Sequence, residues 1–151
     1  MSKPVAFRWE ARASRPAARV VLVQGGAVLA PATLPAADRQ ALEAWRRAED
    51  FQGEVGATAW PTGVPAPVLL VGIGRKEEFH AARWRRAWAA AGRALAQAAA
   101  VPMAAFEWPE RAAFPLETAE LAGLAADGLL AGAYVFEAYK TKKHARSWTF
   151  E

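Results

Sequence analysis

The stretch from Phe114 to Lys143, FPLETAELAGLAADGLLAGAYVFEAYKTKK, constrains the fold most, because it reads as one long helix on which the rest of the chain must pack. Leu121, Leu124, Gly128, Ala131, Val135 and Ala138 recur at three- and four-residue spacing, which sets them on a single stripe facing a core. Leu129, Leu130, Ala133 and Tyr134 extend the apolar surface around the helix, so cover on more than one side is expected. Pro115 suits the first turn, with Glu117 and Glu120 near the positive end of the macrodipole and Lys140, Lys142 and Lys143 near the negative end. Gly123, Gly128 and Gly132 each weaken an isolated helix by about 1 kcal/mol relative to alanine. Close approach of another backbone would offset that cost.

The remaining segments alternate between two periods. Val5–Glu10 alternates apolar and polar residues like an edge strand, and Ala18–Gln24 is a nearly continuous apolar run that Gly25-Gly26 ends in a turn. Asp38 is placed to cap a helix whose Ala41, Leu42, Trp45 and Ala48 share a face, while Arg46, Arg47 and Glu49 meet water. Gly53 and Gly56 frame a turn, Glu54–Trp60 suits a short strand, and Pro61, Gly63, Pro65 and Pro67 enforce a loop. Val68–Ile73 is apolar on both faces and so reads as a central strand closed by Gly72 and Gly74. The next helix sets Trp84, Trp88, Ala91 and Leu95 on one stripe and Arg83, Arg86 and Arg93 on another. It delivers a strand over Pro102–Trp108 in a β-α-β unit with a right-handed crossover, and Arg146–Phe150 alternates like a last strand. Strands alternating with helices make a three-layer α/β domain, and 151 residues suit a single domain with one core.

Composition narrows the chemistry. Without cysteine there is no disulfide, thiolate metal site or cysteine nucleophile, and a cytoplasmic setting is expected. Met1-Ser2-Lys3-Pro4 leads into no apolar signal core, and the longest apolar runs are too short or too interrupted to span a bilayer. A formal charge of +4 does not by itself mark a nucleic-acid binder. His80 and His144 lack partners at metal-ligand spacing, so no metal ligand is assigned. The pairs Glu49–Asp50, Glu77–Glu78 and Glu117–Glu120 lie at helix ends, where solvation accounts for them. Ser2, Ser14 and Ser147 fit no nucleophile elbow, so no catalytic residue is assigned either. The candidate site is the turn Gly72, Gly74, Arg75 and Lys76, because a glycine turn after a central strand is where α/β folds hold anions. The same turn serves any tight strand-to-helix connection, and Glu77-Glu78 would repel a phosphate. Arg83, Arg85, Arg86 and Arg93, with Lys140, Lys142, Lys143 and Arg146, leave weak electrostatic nucleic-acid binding as a further alternative.

Three segments also carry a resemblance. Tyr134–Lys142 resembles the Tyr-x-Phe-x-x-Tyr-Lys-Thr-Lys segment that closes the amino-terminal domain of leucyl aminopeptidases, the cytosol aminopeptidase family. Asp50–Gly56 resembles that family's Asp-Phe-x-Gly-x-x-Gly turn, although Glu54 stands where relatives often carry a basic residue, and Val68–Gly74 resembles its Leu-Leu-Val-Gly-Leu-Gly strand. The resemblance implies a macro-domain-like fold, a mixed β-sheet with helices on both faces, for residues 1–151 as the non-catalytic amino-terminal domain. The family's Asn-Thr-Asp-Ala-Glu-Gly-Arg signature does not occur here, so the two divalent metal ions, zinc or manganese, are expected in a catalytic domain outside this chain. The resemblance further implies packing against that domain, a homo-oligomer that is hexameric in the family, and an isolated chain that is inactive. Phe136, Tyr139 and Lys140 are the candidate interface residues, since Tyr134, Phe136 and Tyr139 cannot all point to one side of a helix. The alternative from the macro-like resemblance is a free-standing module that binds ADP-ribose or another nucleotide.

Overall fold

The computed structural model describes residues 6–7, 18–98, 101, 103–109, 114–134 and 149–150. In chain order these form β1 (Ala6–Phe7), β2 (Ala18–Gln24), β3 (Ala27–Leu29), α1 (Ala36–Ala48), β4 (Thr58–Ala59), β5 (Val68–Gly74), a 3-10 turn at Lys76–Glu78, α2 (Ala81–Gln97), β6 (Met103–Phe106), α3 (Thr118–Ala133) and β7 (Thr149–Phe150). One mixed sheet runs in the order β1-β7-β6-β2-β5-β4, with β3 paired antiparallel to the end of β2. β2 is the centre of this arrangement. Its first residues pair in parallel with β6, its last three pair with β3, and its other edge carries β5 in parallel from Val68 onward.

Period-two alternation distributes the two central strands between two cores. Val20 and Leu22 of β2 and Leu69, Val71 and Ile73 of β5 face a core shared with α2 and α3. Val21 and Val23 of β2 and Val68 and Leu70 of β5 face the other side, where Leu34, just before α1, and Leu42 of α1 meet them. The expected three layers are therefore present: α1, the sheet, and α2 with α3. Burying an aliphatic side chain of this size contributes about 1.5–3 kcal/mol, so the fully buried run of β5 anchors both cores at once.

The contact between α2 and α3 depends on glycines. A Cβ added at Gly132 would lie 1.9 Å from the Ala89 carbonyl oxygen, one at Gly128 would lie 2.5 Å from that of Arg85, and one at Gly92 would lie 2.4 Å from that of Leu129. Two helices touch here through backbone, the close approach that offsets the helix-weakening glycines of α3. Trp84 locks the pair by donating its indole N–H to the Leu121 carbonyl at 2.9 Å. It also stacks with Trp108 at 5.9 Å between ring centroids.

Several boundaries differ from the sequence reading. The third helix does not run from Phe114 to Lys143: it begins at Thr118 after an extended Glu117, so Pro115 precedes it, and it ends at Ala133, where Tyr134 is extended. Its buried face is Leu121, Ala125, Gly128, Leu129 and Gly132, whereas Leu124 is half-buried and Ala131 exposed. Leu130 is exposed too, so cover on several sides is not realised. Asp38 is not the cap of α1 but a buried residue of its first turn, with Pro35 at the N-cap position. Arg46 is half-buried beside Glu43 instead of reaching into water. The expected strand over 54–60 shrinks to Thr58–Ala59, because residues 53–57 form a turn whose backbone bonds to β5. Phe136, Tyr139, Lys140, Lys142, Lys143, His144 and Arg146 lie outside the described residues.

Candidate functional site

At the carboxyl ends of β2 and β5 the chain makes an open cleft of about 600 Å³, the position where open α/β sheets hold ligands. Its floor is built by three loops that exchange backbone hydrogen bonds. Gly25 N–H donates to the Gly74 carbonyl at 3.0 Å, Gly26 N–H to that of Gln52 at 2.9 Å, and Gly74 N–H to that of Gly53 at 2.8 Å. This fit needs glycine. Gly53 sits at φ +73° against Val23, where a Cβ would come within 2.6 Å of Cγ1. At Gly72 a Cβ would lie 2.1 Å from the Glu54 carbonyl oxygen. The Asp50–Gly56 turn and the Val68–Gly74 strand are thus one interlocked unit, although more than ten residues separate them in the sequence.

Charged side chains rise around that floor. Glu54 comes from the turn, Arg75 follows β5, Glu78 ends the 3-10 turn, and Arg83 and Arg86 stand on α2 one turn apart. Arg83 and Glu78 form an ion pair. The hydrogen bond from Arg83, then its charge, hold the Glu78 carboxyl below its ordinary range, and the charge of Arg75 acts in the same direction. No salt bridge or hydrogen bond occupies the guanidinium of Arg75 or Arg86 among the described residues. The cleft offers guanidinium donors for an anion.

Of the turn singled out in the sequence, Gly74 and Arg75 line this cleft; Gly72 is buried beneath the Gln52–Gly56 loop, and Lys76 is exposed outside the lining. Both glycine amides are already engaged, Gly72 N–H with the Ala57 carbonyl at 2.8 Å and Gly74 N–H with that of Gly53. Glu54, Glu78, Arg83 and Arg86 also line the cleft, although the sequence alone places none of them in the candidate turn. The available signal was the i, i+3 spacing of Arg83 and Arg86 at the start of the helix that follows β5. Among the described residues no three His, Asp or Glu side chains come together to hold a metal ion, so these residues do not fit a metal centre. Trp84 and Trp88 are buried, which withholds their faces from nucleic-acid bases.

A model of the cytosol aminopeptidase family, N-terminal domain, matches residues 20–143. A Streptomyces coelicolor protein described as "Probable cytosol aminopeptidase" is 45% identical over 98 residues, covering 62% of this chain and 17% of that protein. A Streptomyces avermitilis protein of the same description is 41% identical over 104 residues, covering 62% of this chain and 18% of its own length. The chain thus spans under a fifth of the curated relatives it matches. Among solved structures, a mutant of tomato leucine aminopeptidase superposes with a TM-score of 0.74 over 99% of this chain and 32% of its own, at 15% identity. The bottromycin maturation enzyme BotP in complex with Mn superposes at 0.62 over 89% of this chain and 26% of its own, at 21% identity.

Proposed function

The chain belongs to the cytosol aminopeptidase family, in the part that forms its N-terminal domain, and from that premise we propose that it is the non-catalytic amino-terminal domain of a metal-dependent leucyl aminopeptidase. The parent enzyme would remove amino-terminal residues from peptides in the cytoplasm. The family match over residues 20–143 carries this reading. In it, catalysis and the two divalent ions, zinc or manganese, belong to a catalytic domain outside these 151 residues; the manganese named in the BotP structure supports the class of metal.

The domain's own role in this reading is to pack against the catalytic domain and support a homo-oligomer. Exposed apolar surface at the end of α3 supports such a role. Leu130 is 45% and Tyr134 71% exposed, in a molecule whose other large described apolar side chains are covered. Among the described residues no helix is long and apolar enough to cross a membrane.

The test offers a leucyl arylamide to the 151-residue chain with manganese or zinc added. No turnover above the metal-only blank is the expected result. Chelator-sensitive turnover would assign catalysis to this chain and overturn the proposal.

A further inference from the structure

We propose that the cleft at the carboxyl ends of β2 and β5 binds a dianionic group, phosphoryl or dicarboxylate, through the guanidiniums of Arg75 and Arg86. This site is independent of peptidase chemistry, so its test and the activity test above can fail separately. Most of the described arginines are already partnered. Arg19, Arg46, Arg47, Arg83 and Arg85 each reach a carboxylate, and Arg39 donates to the Leu34 and Ala32 carbonyls. Among the described residues Arg75, Arg86 and Arg93 remain without a salt bridge or hydrogen bond, and two of these three open onto one cleft.

The charges around the cleft point the same way. Glu78 is satisfied by Arg83, so the remaining lining charges are Arg75 and Arg86 against Glu54. Two guanidinium forks facing one volume match a group with two negative charges and several acceptor oxygens, because each fork can bind two oxygens in its own plane. A singly charged carboxylate would leave one fork unmatched. Gly53 and Gly74 let the loops close into the floor beneath these side chains, since a Cβ at either position would run into Val23 or Val55. The space of about 600 Å³ admits a small molecule beyond the charged group itself.

Titration calorimetry on the 151-residue chain, with inorganic phosphate, malonate and acetate in turn at matched ionic strength, tests the site. Saturable binding of phosphate or malonate is expected, and which of the two binds identifies the source of the dianion. Arg75→Gln and Arg86→Gln should each weaken it about tenfold or more, while Arg93→Gln, on the same helix as Arg86 but outside the cleft, leaves it unchanged. All three side chains are exposed, and circular dichroism verifies that the variants fold. Absence of saturable binding of either dianion would overturn the proposal. So would acetate binding as tightly as the dianions, or Arg93→Gln weakening binding as much as Arg86→Gln.

Discussion

Gly123 and Gly132 sit in the same helix, nine positions apart, and have opposite surroundings. A Cβ at Gly123 meets nothing within 4 Å, whereas one at Gly132 would collide with the Ala89 backbone. Gly123→Ala is therefore expected to stabilise the chain by about 1 kcal/mol through helix propensity, and Gly132→Ala to destabilise it by about 1–3 kcal/mol through overpacking, both measured by urea unfolding. Nothing local distinguishes the two glycines, because the collision partner lies on another helix. Glu78 gives a second residue-scale prediction. Its carboxyl is held below its ordinary range by the Arg83 hydrogen bond first and the Arg83 charge second. A depressed folded-state value stabilises the fold above the unfolded carboxylate's titration range, and that contribution is lost as pH falls through the lowered value. An NMR titration should place the Glu78 midpoint lower in the native chain than in Arg83→Gln.

The second helix shows how one element depends on partners its own sequence does not name. Its stripe Trp84, Trp88, Ala91 and Leu95 was legible from 3.6-residue periodicity, and all four are buried. The two tryptophans nevertheless differ in chemistry. Trp84 donates to Leu121 across the helix pair, while Trp88 Nε1 is buried with no hydrogen-bond partner among the described residues. Trp84→Phe should cost about 2–4 kcal/mol, combining lost volume with an unpaired carbonyl. Trp88→Phe should cost about 1 kcal/mol less, since no hydrogen bond is broken. Chemical denaturation of both variants measures the difference. The third helix was legible in kind but not in extent. Apolar residues continue past Ala133, yet Tyr134 leaves the helical conformation, its N–H closing the last turn on the Leu130 carbonyl at 3.1 Å.

For the molecule as a whole, stability should concentrate where both faces of the sheet are covered. Amides of Val20–Val23 and Leu69–Val71 are expected to exchange with solvent more slowly than those of Thr58–Ala59, which form a two-residue, half-buried edge strand. Hydrogen-exchange NMR measures this, and equal protection in β4 and β5 would contradict the layered account. By itself the sequence determined the α/β class, the two central strands, the buried stripe of α2, and through three short motifs the family. Those features follow from periodicity and turn chemistry within a few neighbouring residues, which each segment carries wherever it is placed. Only the tertiary structure decided which glycines are contact points, that the Gln52–Gly56 loop and the turn after it consume the amides of Gly72 and Gly74, and that Arg75 and Arg86 share a cleft. Those outcomes depend on backbone hydrogen bonds and charges from segments distant in sequence, and such positions acquire their meaning only once the sheet has brought them together.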